Sequence, residues 1–124
     1  MKLAAARIFV SNLEEAVAFY EVQLGLRVGA RAPDLGYAVL EAGTCDLVIE
    51  RVPGDAPPDE QVLVGRFTGL SFSVGDIQAL YQALRGQGVP FTGEPEPQPW
   101  GGTLATLRDP AGNELQLVQY PTAA

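Results

Sequence analysis

Residues 8–25 read IFVSNLEEAVAFYEVQLG, and residues 71–88 read SFSVGDIQALYQALRGQG. Each stretch begins as a strand-like apolar run, reaches a short polar residue suited to capping a helix, and continues with apolar residues at helical spacing. Asn12, with Glu15 three positions on, makes a capping-box pattern, and Asp76 is the matching cap. Leu13, Ala16, Val17, Tyr20 and Leu24 form the first helical stripe; Ile77, Leu80, Tyr81 and Leu84 form the second. Gly25 stops the first helix, and Gly86 and Gly88 end the second. The repeat distance is 64 residues, from Val10 to Val74. Duplication of one supersecondary unit is therefore the main architectural signal.

The flanks complete the unit. Residues 3–10, LAAARIFV, read as a strand, and a second strand is expected near 26–31, followed by the turn APDLG. YAVLEAG and CDLVIE are short runs split by a Gly-containing turn, which predicts a hairpin. After the second helix, Val89-Pro90-Phe91 opens a strand and EPEPQPWGG is a loop. TLATLR at 103–108 and ELQLVQ at 114–119 then pair around the turn DPAGN. The stretch PGDAPPDEQ at 53–61 is rich in proline and acid, and 53–66 reads as a linker. The order strand, helix, three strands thus occurs twice. The expected fold class is α+β: two tandem βαβββ modules, 1–52 and 67–124, in one domain over 1–124.

Composition narrows function by exclusion. The chain has 124 residues, 47% of them apolar, so it has enough apolar surface to build a core. Lys plus Arg number 8 against 15 Asp plus Glu, a net charge of −7, which argues against nucleic acid and anionic membrane as partners. It permits a cationic ligand. Cys45 is the single cysteine, so no internal disulfide can form, which suits a reducing cytoplasm. The apolar run at the start is broken by Arg7, too early for a signal segment, and no run approaches the roughly 18 apolar residues of a membrane-crossing helix. Histidine is absent, which removes Ser-His-Asp and Cys-His chemistry and histidine-ligated zinc.

Alternation assigns faces. Ala6, Ile8 and Val10, then Leu70, Phe72 and Val74, then Leu115 and Leu117, should lie beneath the helices, with Leu47 and Ile49 from the fourth strand. The opposite face carries Ala5, Arg7 and Phe9; Asp46, Val48 and Glu50; Gly69, Ser71 and Ser73; and Glu114, Gln116 and Val118. Small, aromatic, apolar and charged residues mix there, as in a ligand-binding groove.

The duplicated layout, the segment VSNLEEAVAFYEVQLGL and the closing RDPAGNELQLV resemble the vicinal oxygen chelate superfamily, which includes glyoxalase I, extradiol dioxygenases and bleomycin resistance proteins. The resemblance covers nearly the whole chain. It implies curved sheets around a groove, a glyoxalase-like fold, and a homodimer. It also implies where a metal would be held: seven residues before each helix cap, which is Ala5 and Gly69 here, and three after the Asn of the DPAGN turn, which is Gln116. Two of these have no donor atom and the third is a neutral amide, so no metal and no cofactor are expected. PWGGTLATLRDPAGN further resembles the metal-free bleomycin-resistance type, which holds a bulky cationic antibiotic without chemistry.

The candidate ligand-binding residues are Arg7, Phe9, Tyr37, Glu50, Ser71, Ser73, Trp100, Glu114 and Gln116. Trp100 either stacks on a flat ligand or anchors its loop over the core. Glu50 and Glu114 face the groove, whereas Glu41 and Asp46 read as surface acids. Arg7 either fixes a carboxylate or phosphate through two parallel hydrogen bonds or pairs internally with Glu50 or Glu114. Cys45 has no base near it in sequence and reads as inert, and DPAGN reads as turn chemistry with no catalytic part. The expected function is metal-independent binding of a small organic ligand, cationic or aromatic, by a cytoplasmic homodimer of the antibiotic-sequestration type. An enzyme reading stands beside it: a lyase, isomerase or dioxygenase using metal through donors such as Glu50, Glu114 and Gln116, or metal-free acid–base work by a buried Glu. So does a regulatory or self-association module without a ligand.

Overall fold

The computed structural model describes residues 1–122; Ala123 and Ala124, which the expected second module includes, lie outside the described residues. The chain divides into two units. One combines Met1–Arg66 with Pro110–Asn113, and the other combines Phe67–Asp109 with the chain from Glu114 onward.

The first unit contains β1 (Ala5–Val10), α1 (Leu13–Ala18), β2 (Arg27–Ala32), β3 (Tyr37–Glu41) and β4 (Asp46–Arg51). Its sheet has the order β1-β4-β3-β2, with β1 parallel to β4 and the other pairs antiparallel. Ile8, Val10, Leu40, Leu47 and Ile49 are buried on the face that α1 covers, where α1 lies against β3 and β4. Each such side chain contributes roughly 1.5–3 kcal/mol through burial. Asn12 caps the helix from an extended conformation, its Oδ1 accepting from Glu15 N–H at 3.0 Å. The 53–66 stretch carries the one-turn helix α2 (Pro58–Gln61), and Gln61 Nε2 donates to Pro53 O at 2.7 Å. Beyond it, Val64 bridges to Phe9 on β1.

The second unit repeats the plan with β5 (Phe67–Ser73), α3 (Ile77–Gly86), β6 (Glu96–Pro97), β7 (Thr103–Arg108) and β8 (Glu114–Gln119), in the order β5-β8-β7-β6. Asp76 Oδ1 caps α3 through Ala79 N–H at 3.0 Å. Ile77, Tyr81 and Leu84 are buried on the side that meets β7 and β8, alongside Leu107, Leu115 and Leu117. The sixth strand differs from expectation. It is Glu96–Pro97, inside the expected loop, while Phe91 makes only an isolated bridge to Leu107. Pro90 has no N–H to donate to a ladder, and Pro97 is tolerated because β6 is an edge strand.

Two departures from exact repetition have local causes. Asn12 to Gly25 is one residue longer than Asp76 to Gly88, and the extra residue is taken up as a π-helical turn at Phe19–Gln23. Both helices then end on a glycine in the left-handed region, Gly25 at φ 75° and Gly88 at φ 87°. The bonds that close them are offset by the same single residue, Leu26 N–H to Tyr20 O and Val89 N–H to Leu84 O. The wider turn lets the adjacent Phe19 and Tyr20 both be buried, their rings edge to face at 5.0 Å. The other departure is in β5. Its register against β8 slips between Phe67 and Ser71, around Gly69 at φ 74°. Thr68 Oγ1 fills the gap in the ladder, donating to Glu114 O at 2.8 Å and accepting from Leu70 N–H at 3.1 Å.

The turn at 109–113 has a structural part to play in the first unit. Asn113 is fully buried. Its Oδ1 accepts from Gly65 N–H at 2.9 Å and Arg66 N–H at 3.2 Å, and its Nδ2 donates to Phe9 O at 2.8 Å. Gly65 is needed beside it: φ is 77°, and a Cβ there would stand 3.2 Å from Ala111 O.

Candidate functional site

Each unit leaves the sheet face opposite its helix partly open, and the sequence-predicted residues other than Trp100 belong to the strands of these two sheets. In the first unit Phe9, Glu50 and Tyr37 are aligned across β1, β4 and β3. Of the two alternatives for Arg7, the structure has the internal pair. Nε donates to Glu50 Oε1 and Nη2 to Oε2, both at 2.8 Å. The hydrogen bond and then the charge of Glu50 raise the Arg7 pKa, opposed in part by desolvation. A raised guanidinium pKa means the cation, and the folding stability it contributes, persists through neutral pH and is lost only far into alkali. The Arg7 guanidinium lies 5.1 Å from the Phe9 ring centroid and that of Arg66 lies 6.0 Å from it. Arg7, Phe9 and Glu50 line a cleft of about 300 Å³ together with Arg51, Val52, Glu60 and Leu63. Tyr37 is half-buried next to Glu50 in the sheet but is not part of that lining.

In the second unit Ser71, Gln116 and Thr106 are aligned across β5, β8 and β7. The Gln116 amide lies between two hydroxyls: its Oε1 is 3.5 Å from Ser71 Oγ and its Nε2 is 3.4 Å from Thr106 Oγ1. Both contacts are long for hydrogen bonds, so the row is loosely held and open to exchange with a ligand. Gln116 and Thr106 line a cleft of about 280 Å³ with Thr92, Glu94, Glu96 and Gln98, and no Lys or Arg is among its lining residues. Ser73 is exposed beside this row. Glu114 instead faces its cross-strand neighbour Arg108, whose Nη2 is 3.1 Å from Oε2. Trp100 is 50% exposed. Its indole rests over Gly102, where a Cβ would collide with the ring, and lies 5.9 Å from the Tyr120 ring. It therefore anchors its loop on one side and offers an aromatic surface on the other.

Sequence reading missed Thr106, Glu94, Glu96 and Arg66. Thr106 was within reach, since alternation along TLATLR aligned with β8 puts it beside Gln116. The two glutamates lie in an aperiodic Pro-rich segment, and Arg66 is the last residue of the stretch read as a linker, so none of the three carried a signal.

Against known proteins, residues 2–117 match the sequence profile of the Glyoxalase/Bleomycin resistance protein/Dioxygenase superfamily, and the chain belongs to that superfamily. A bleomycin resistance protein of Klebsiella pneumoniae is 32% identical over 115 residues, 87% of this chain and 84% of its own length. Among solved structures, TnmS3, an antibiotic binding protein from Streptomyces sp. CB03234, superposes with a TM-score of 0.76 at 27% identity, covering 98% of this chain and 97% of its own. A superfamily member from Sphaerobacter thermophilus DSM 20745 gives a TM-score of 0.77 at 28% identity, covering 97% and 98%.

The metal that many superfamily members use does not fit the residues present. Ala5 offers no donor. Gly69 sits at φ 74°, a conformation that would strain any donor-bearing side chain placed there. Gln116 is a neutral amide turned toward two hydroxyls. Among the described residues no three His, Cys, Asp or Glu side chains converge as a metal site. None of the helices among them is long and apolar enough to cross a membrane.

Proposed function

We propose that this protein is a metal-independent binding protein for a small organic ligand, of the antibiotic-sequestration type, working as a homodimer in the cytoplasm. The observation that carries this reading is the donor set at the superfamily's metal positions. Ala5 and Gly69 are without donor atoms, and Gln116 sits in the neutral row Ser71–Gln116–Thr106. An amide between hydroxyls can exchange hydrogen bonds with a ligand's amide, hydroxyl or amine groups, but it is a poor base and a poor anchor for a divalent ion. Glu94 and Glu96 border the same cleft and give it the sign that a cationic ligand needs. The likeness to the Klebsiella bleomycin resistance protein and to TnmS3 supports the same class of function.

The test is calorimetric titration of the purified protein with metal-free bleomycin, followed in parallel by Trp100 fluorescence. Saturable binding with the ligand recovered unchanged is expected. An E94Q/E96Q variant should bind about tenfold more weakly, equivalent to about 1.4 kcal/mol. No heat and no fluorescence change would remove the antibiotic reading. A stoichiometric divalent ion in protein purified without chelator, or turnover of the ligand, would shift the case to the enzyme reading.

A further inference from the structure

We propose that the Phe9 cleft of the first unit is an anion site, which takes the carboxylate or phosphate of an aromatic ligand between the guanidiniums of Arg66 and Arg7. This goes beyond the binding function proposed above: it concerns the other unit and the opposite charge.

The argument starts from where the cations sit. The chain has only 8 Lys and Arg against 15 acids. Arg7, Arg27, Arg31 and Arg108 are in ion pairs, and Arg85 donates to Tyr81 Oη. Lys2, Arg51 and Arg66 make no ion pair among the described residues; Arg51 lines both the Phe9 cleft and the one at Asn12 and Asp34, and the Arg66 guanidinium lies 6.0 Å from the Phe9 ring. Two guanidiniums, those of Arg7 and Arg66, therefore lie near one ring in an otherwise acidic protein. The acids there are Glu50 and Glu60, and Glu50 has both carboxylate oxygens engaged by Arg7. Glu50 already neutralises Arg7, so the charge left uncompensated at the ring is that of Arg66.

Arg7 and Arg66 also keep the geometry that an oxyanion needs. Arg7 uses Nε and Nη2 on Glu50, which leaves the Nη1 donors free. Arg66 uses its backbone N–H on Asn113, and its guanidinium makes no hydrogen bond or ion pair among the described residues. Asn113 holds the backbone of both components, Arg66 through that N–H and Phe9 through its carbonyl. It is thus a positioning residue for the cleft, fixing cation and ring relative to each other. Phe9, half-buried, supplies an aromatic surface, and Val52 and Leu63 supply apolar wall, so the ligand's body should be aromatic.

Calorimetric titration at low salt with phenyl phosphate, benzoate, inorganic phosphate and benzylamine tests this. Phenyl phosphate and benzoate should bind, inorganic phosphate several-fold more weakly, and benzylamine should not compete with them. R66Q, an exposed change that leaves the circular dichroism spectrum intact, should weaken phenyl phosphate about tenfold. R66K should recover only part of the loss, since an ammonium lacks the planar fork. F9L should bring phenyl phosphate down toward inorganic phosphate and leave inorganic phosphate unchanged. E94Q/E96Q should leave every anion unaffected, which separates this site from the bleomycin test. Absence of binding by both aromatic anions, or equal affinity in the parent and R66Q, would overturn the proposal. Equal affinity for phenyl phosphate and inorganic phosphate would overturn its aromatic half.

Discussion

The two units are built to one plan, yet their open faces carry opposite chemistry. In the first, Arg7, held by both oxygens of Glu50, and the unpaired Arg66 lie near Phe9. In the second, a neutral amide lies between hydroxyls above a cleft bordered by glutamates. The covered faces have not diverged in this way. Leu47 and Ile49 on β4 match Leu115 and Leu117 on β8, and all four are buried. A close-packed interior penalises any change of volume, whereas an open face tolerates changes of charge at little cost to folding. Duplication thus left the packing in register and freed the faces to specialise.

The largest expected effects test whether the two interiors are equivalent. Leu47→Ala and Leu115→Ala should each cost about 2–5 kcal/mol in urea denaturation, from lost burial and the cavity left behind. Costs differing by more than twofold would show that the matched positions do not do the same work. Next comes Asn113→Ala, which strands the Gly65 and Arg66 N–H groups and the Phe9 carbonyl. A loss of about 1–3 kcal/mol is expected, together with weaker phenyl phosphate binding. Unchanged stability would remove Asn113 as the latch of the first unit.

Smaller effects address the differences between the units. Gly69→Ala should destabilise by about 1–2 kcal/mol, because an L-residue is strained at that φ. At the corresponding Ala5 the reverse change, Ala5→Gly, should cost less than 1 kcal/mol. Similar costs at the two sites would argue against the β5 bulge as the distinguishing feature. Asn12→Ala and Asp76→Ala should each lose about 1 kcal/mol, measured by thermal melting. The smallest stability change should come from Glu50→Gln, since the pair is solvent-accessible. Its visible effect should be several-fold tighter phenyl phosphate binding as Arg7 is released, and no gain would mean that Arg7 takes no part in the anion site.

Much of this was legible in the chain. The caps at Asn12 and Asp76, the buried stripes and the hairpins depend on contacts a few residues apart, which spacing reveals. Alternation also put Arg7, Phe9, Glu50, Ser71, Glu114 and Gln116 on the open faces. What escaped depends on partners distant in sequence. Arg7 could be assigned to Glu50 rather than Glu114 only once β1 was paired with β4 in register. The short β6 at Glu96–Pro97 is stabilised by its pairing with β7 and not by any local pattern.

By itself the sequence determined the duplicated plan, the inward residues and the lack of donors at the superfamily's metal positions, because period, caps and residue identity are local properties. Only the tertiary structure decided which charges are neutralised and which stay free, because that depends on distances across strands. It also recast DPAGN, read as a simple turn, as the source of the buried Asn113 that holds Phe9 and Arg66 in place.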